Sequence, residues 1–149
     1  LIQKGQGQFQ SGEYQVAIGT FSKVLEKDPD NKQANLYVAE SYRLSNRVEK
    51  SLDYYKKAAS LEETFDTYYK LGQAQKSQGE YEAAKESFTK AKGLTLDDGY
   101  IRLAEREIAG MQKVTEISDY YPYMQVENYK LLNTPLAEYA PVVHKGYLY

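Results

Sequence analysis

Cysteine is missing from all 149 residues, as is tryptophan; histidine occurs once, at His144, and proline only four times. Without cysteine there is no disulfide, no thiolate nucleophile and no thiolate zinc site, and redox chemistry says nothing about the compartment. An excess of basic charge is also lacking. Nineteen Lys and Arg stand against twenty-one Asp and Glu, interleaved along the chain, for a formal net charge of -2. No basic stripe therefore marks a nucleic-acid surface. No apolar run approaches the length of about 18 residues that would suggest a membrane-spanning helix. The chain begins at Leu1 and shows no signal-peptide pattern, so it reads as an excised or processed piece whose targeting segment, if any, is missing.

What is present is the composition of a folded chain, 42% apolar and 27% charged. Tyrosine is abundant, with sixteen copies against four phenylalanines. Its ring can fill gaps between helices while its hydroxyl reaches the nearby surface. Seven of the sixteen fall between Tyr120 and Tyr149, a composition shift that hints at a boundary.

Self-similarity organises the first two-thirds of the chain. Gly12-Glu13-Tyr14 and Gly79-Glu80-Tyr81 lie 67 residues apart, two periods of a repeat of about 34 residues. Asn46-Arg47-Val48 occupies the intermediate position, where asparagine is the next best residue after glycine for a left-handed helix end. Small residues Ala17, Ser51 and Ala84 are each followed four positions later by Phe21, Tyr55 and Phe88, and three beyond those by Val24, Ala58 and Ala91. This spacing puts a small, a large and a small group on one helix face. The preceding helix of each pair carries Gly5, Ala39 or Gly72, where two helices must approach closely.

These copies resemble tetratricopeptide repeats over residues 1 to about 98. The resemblance divides the chain into repeat one at 1–31, clipped at its start, repeat two at 32–64 and repeat three at 65–98. Gln8 and Gln75 depart from the family where Tyr42 fits it better, and Glu63 stands where the family often has the proline that Pro29 supplies. The implied fold is all-α: a solenoid of three helix-turn-helix repeats. Tyr100 to Met111 reads as a further amphipathic helix behind the N-cap pair Asp97-Asp98, making residues 99–115 a capping helix over the last apolar face.

Residues 116–149 form a linker and a short β segment that starts another domain. Tyr and Val enrichment, Pro122, Pro135 and Pro141 as punctuation, and Gly146 in a turn predict a hairpin of Val142-Val143, a His144-Lys145-Gly146 turn and Tyr147-Leu148-Tyr149. The run Leu132-Asn133-Thr134-Pro135, Ala137 to Val142 and Lys145 to Tyr149 is similar to the entry of a WD40-like propeller. It resembles the junction in bacterial OmpA-family envelope proteins, several of which accompany type IX secretion and gliding machinery. That resemblance implies a periplasmic, outer-membrane-associated location. Peptidoglycan would be bound only by a domain outside this chain.

No catalytic constellation emerges. His144 sits in a predicted turn without a partner nearby in sequence, and no Gly-x-Ser-x-Gly elbow surrounds any serine. Glu62-Glu63 and Asp97-Asp98 precede helices, where carboxylates meet free N–H groups and the helix dipole. Asp28-Pro29-Asp30-Asn31 lacks the glycine and distal glutamate of a calcium loop and reads as an inter-repeat turn. Gly5-Gln6-Gly7 has no strand before it to make a phosphate loop. Neither a metal nor a cofactor is expected.

A binding surface remains. Because first helices line the concave side of such a solenoid, the register puts Gln6 and Phe9 there from repeat one. Repeat two adds Gln33, Leu36, Glu40 and Arg43, and repeat three Asp66, Tyr69, Gln73 and Lys76. The protein-binding residues are taken as Gln6, Leu36, Glu40, Arg43, Tyr69, Gln73 and Lys76. Anchors and amides suit an extended peptide. The carboxylate clamp of chaperone-binding family members would need Lys and Asn where Ile2 and Gln6 stand, and a basic residue at Asp66; a C-terminal-carboxylate ligand is disfavoured. The expected role is a non-enzymatic scaffold for a protein or peptide partner, such as an outer-membrane or secretion component. The alternatives are the leading module of a propeller-containing hydrolase, or a cytosolic adaptor.

Overall fold

Seven helices follow the repeat register among the residues that the computed structural model describes, which are 1–120, 143–144 and 147–148. They are α1 (Ile2–Gln10), α2 (Tyr14–Leu25), α3 (Lys32–Leu44), α4 (Val48–Leu61), α5 (Phe65–Ser77), α6 (Tyr81–Gly93) and α7 (Asp98–Tyr120). Leu1–Ile117 and Ser118–Tyr149 are separate compact units. In the second, β1 (Val143–His144) and β2 (Tyr147–Leu148) pair antiparallel, with Val143 opposite Leu148 and His144 opposite Tyr147. His144 is therefore a strand residue and not part of the turn expected for it. The rest of the expected linker and propeller entry lies outside the described residues.

Each helical pair turns in the same way. Gly12, Asn46 and Gly79 adopt left-handed φ of 78°, 57° and 78°. The next residue then donates its N–H five positions back, Glu13 to Gln8, Arg47 to Tyr42 and Glu80 to Gln75, at 2.9–3.0 Å. Left-handed residues make this closure possible, and it satisfies carbonyls that the helix end would otherwise orphan.

Between repeats the chain uses side-chain caps instead. The Asn31 Oδ1 accepts from the Ala34 N–H at 3.0 Å, with Asn31 itself held by Asp28, so Asp28 to Asn31 is indeed a turn. Asp97 Oδ1 accepts from the N–H groups of Gly99 and Tyr100, at 2.8 and 3.1 Å. The start of α5 departs from expectation. Thr64 and Thr67 form a reciprocal capping box there, while Glu62 pairs with Lys32 and Glu63 with Lys90. The hydroxyl of Thr64 stands at the cap position, directly before Phe65, and frees both carboxylates to reach lysines on other helices.

The second-helix face is buried as the spacing requires: Ala17, Ser51, Ala84, Phe21, Tyr55, Phe88, Ala58 and Ala91 have no exposed surface, and Val24 almost none. Against Phe21 and Phe88 the facing helix can carry only glycine. A Cβ on Gly5 would lie 2.7 Å from the Phe21 ring, and one on Gly72 would lie 2.8 Å from the Phe88 ring. Phe21, Tyr55 and Phe88 each sit in one of three apolar clusters along the chain.

The glutamine departures at Gln8 and Gln75 are each compensated. Thr20 donates to Gln8 Oε1 at 2.7 Å, and Ser87 donates to Gln75 Oε1 at 2.6 Å. The same site in repeat two is filled by the stacked rings of Tyr42 and Tyr54, 5.8 Å apart. Gln75 is buried and Gln8 partly so; an amide withdrawn from water needs a partner opposite it, and both copies provide one.

Helix α7 runs to Tyr120, past the 99–115 assigned from the sequence. No proline intervenes before Pro122, and the helix continues through Gly110. Ala104 and Met111 are buried, and Met111 and Ile108 pack with Phe88 and Ala84.

Candidate functional site

The first helices α1, α3 and α5 converge on a cleft of about 600 Å³, lined by Phe9, Lys32, Gln33, Leu36, Tyr37, Glu40 and Lys70. Helical periodicity produces this lining: Gln33, Leu36, Tyr37 and Glu40 lie three or four residues apart on one side of α3. The floor is aromatic. Tyr37 lies parallel to Phe21 at 5.0 Å, and Phe9 meets Tyr37 edge-on at 5.1 Å. Core Phe21 thus sets the height of the ring that the cleft exposes.

Glu40 is the electrostatic centre. Its Oε2 accepts from Arg43 Nη2 at 2.5 Å and Nε at 3.1 Å, while its Oε1 accepts from the Tyr55 hydroxyl at 2.9 Å. Lys70 bridges Glu40 at 3.5 Å and Asp66 at 3.0 Å. The Glu40 side chain is only 12% exposed, so these partners replace most of its water. Partial burial opposes the Arg43 charge, but the bond and charge of Glu40, with the Tyr55 phenol, lift its pKa overall.

Burial pushes the Tyr55 phenol well above the ordinary tyrosine range, and the neighbouring Glu40 charge adds to the effect. In the unfolded chain the same phenol titrates near pH ~10. A raised folded-state pKa means the unfolded state releases its proton first, so stability is lost as pH rises above that value. Denaturant melts of the protein and of Tyr55→Phe at pH 7 and pH 11 check this. At pH 7 the substitution is expected to cost about 1 kcal/mol for the lost hydrogen bond. By pH 11 the deficit shrinks or reverses, by about 1.4 kcal/mol per pH unit above 10. A constant deficit would contradict the assignment.

The sequence-derived residues divide into two groups. Leu36 and Glu40 line the cleft with Phe9 and Gln33, and exposed Arg43 is tied to Glu40. Gln6 is half-buried and Gln73 exposed, each three residues along its helix from a cleft residue, Phe9 or Lys70. Tyr69 and Lys76 are engaged elsewhere. Glu107 of α7 accepts from Lys76 Nζ at 2.7 Å and from the Tyr69 hydroxyl at 3.5 Å. Tyr69 also stacks on Phe65 at 5.2 Å, and Phe65 on Tyr100 of α7 at 4.7 Å. The capping helix thus takes the two residues that a free third repeat would have presented, a consequence of its polar as well as apolar face meeting α5.

Lys32, Tyr37 and Lys70 were missed as lining residues. They lie one position from Gln33, Leu36 and Tyr69, so the strict register passed over them. Helices crossing at an angle expose a wider stripe than one row of positions. Among the described residues there is no group of acidic or histidine side chains suited to hold a metal. No described helix is long and apolar enough to cross a membrane.

Two family models, each described as tetratricopeptide repeat, match residues 2–64 and 65–98. No curated protein sequence matches. Several solved structures are similar. The type III secretion chaperone SycD of Yersinia enterocolitica, in complex with a peptide of the translocator YopD, is 14% identical with a TM-score of 0.65, over 79% of this chain and 91% of that one. The first TPR of Spaghetti, bound to an HSP90 peptide, is 21% identical with a TM-score of 0.68, over 76% and 89%. MamA is 23% identical with a TM-score of 0.68, over 77% and 66%. At these identities what is shared is the fold.

Proposed function

Across residues 2–98 the chain belongs to the tetratricopeptide repeat family, and on that premise we propose that it is a scaffold holding an extended segment of a partner protein in the α1–α3–α5 cleft. The observation that carries this reading is the cleft itself. Three first helices supply an apolar floor bordered by amides and charges, the mixture that lets one site take a side chain and a peptide backbone together. Two of the similar structures are of proteins bound to peptides. Neither matching family model is that of an enzyme.

Decapeptides selected from an unbiased display library on the immobilised chain test it. The selected peptides are expected to lose at least tenfold in affinity for Gln33→Trp, whose exposed position lets the indole fill the cleft without entering the core. Equal binding to both, or no enrichment at all, would overturn the groove reading.

The finer reading is a module of a periplasmic, outer-membrane-associated protein of the OmpA kind that serves secretion or gliding machinery. It is supported by the similarity of residues 132–149 to the propeller entry of those proteins. Fractionating cells that express the full-length protein decides it. Recovery with the outer-membrane fraction supports the envelope role, and recovery in the cytosol supports an adaptor instead.

A further inference from the structure

The charges around the cleft cancel one another. Lys32 pairs with Glu62, Arg43 with Glu40, and Lys70 with Glu40 and Asp66. Three cations thus face three anions, and each has an opposite charge in contact. A charged side chain entering here would meet a like charge next to every opposite one. Entry offers it no net attraction, while removing it from water carries a penalty.

The polar groups without a partner are of a different kind. Among the described residues, the side-chain amides of Gln6, Gln33 and Gln73 make no hydrogen bond within the protein. Amides donate and accept without charge, as a peptide backbone requires. Beside Gln33 the cleft is lined by Phe9, Leu36 and Tyr37. The third-repeat end is already occupied by Glu107, which holds Lys76 and Tyr69.

Resting on the groove reading above, we infer that the cleft selects an uncharged extended segment whose one large aliphatic or aromatic side chain inserts against Phe9, Leu36 and Tyr37 of the first two repeats. The amides read the backbone of that segment. Acidic and basic tails are rejected equally, because each finds its counter-ion already bound to another residue. Association is only weakly dependent on salt, since no ions exchange across the interface.

The peptides selected as above provide the test. Their consensus is expected to hold a Leu, Ile, Phe, Tyr or Trp flanked by neutral residues, and their Kd to change less than about twofold between 50 and 500 mM NaCl. Placing one Glu or one Lys beside the anchor in the best synthetic peptide is expected to weaken binding at least fivefold. Glu107→Gln is expected to leave the affinity of that peptide unchanged. A consensus rich in one charge, or a Kd that rises more than tenfold with salt while binding stays sensitive to Gln33→Trp, would overturn this ligand class and leave the groove reading intact. Insensitivity to Gln33→Trp would overturn both. Circular dichroism of each variant confirms that helix content is retained.

Discussion

Replacing Phe88 by alanine is expected to destabilise the helical unit by about 3–5 kcal/mol, the usual range for removing a buried phenylalanine ring. The ring has no exposed surface and is enclosed by Ala84, Tyr69, Ile108 and Met111. Gly72 lies flat against it on α5, leaving no side chain there to swing into the gap. The cavity would therefore collapse poorly, which favours the upper part of the range. Urea denaturation followed by circular dichroism gives the magnitude, and native-state hydrogen exchange gives the location. In a stack where each repeat contacts mainly its neighbours, protection should be lost first in α5, α6 and α7, with α1 and α2 affected least. Phe88→Leu, which keeps most of the volume, is expected to lose far less. A loss below about 1 kcal/mol for the alanine variant would mean that α7 does not close over Phe88 in solution.

The second large effect is expected at Glu40. Removing its carboxylate by Glu40→Ala leaves the hydroxyl of fully buried Tyr55 without its acceptor and Arg43 without its counter-charge. Truncating one member of a fully buried pair costs about 3–5 kcal/mol; here Arg43 is 40% exposed and keeps water, so about 2–3 kcal/mol is expected. The partner substitution separates the causes. Glu40→Gln keeps an acceptor for Tyr55 and should lose only about half as much. In a Tyr55→Phe background Glu40→Ala should lose about 1 kcal/mol less, since no hydroxyl is left stranded. Additive losses in that double-mutant cycle would show that the 2.9 Å contact contributes nothing.

The helical turns were legible because their causes are local. Left-handed backbone at residues 12, 46 and 79 requires glycine or asparagine whatever else surrounds them, and both residue types stand there. Burial of Ala17, Phe21 and Val24, with their copies, follows from helical spacing alone. The cap of α5 was harder to read, because Glu62, Glu63 and Thr64 are all plausible acceptors at a helix start. Which one caps is decided by where the first helical residue falls, and that is Phe65. The glutamines at 8 and 75 break the repeat pattern in sequence, and their partners are the hydroxyls of Thr20 and Ser87, twelve residues on.

The candidate site was legible only in outline. Its face could be assigned, since the residues that line a helix side recur every three or four positions. Whether a residue on that face is free could not, because this depends on chain brought in from far away. Lys76 and Tyr69 meet a carboxylate 31 and 38 residues further along. Lys32 meets one 30 residues on. The sequence by itself determined the repeat, its register and the absence of thiol chemistry, all of which rest on residue identity and short-range geometry. Only the tertiary structure decided that the groove's charges neutralise one another and that α7 fills its third-repeat end, because a salt bridge forms over a few ångströms of space and not over any fixed count of residues.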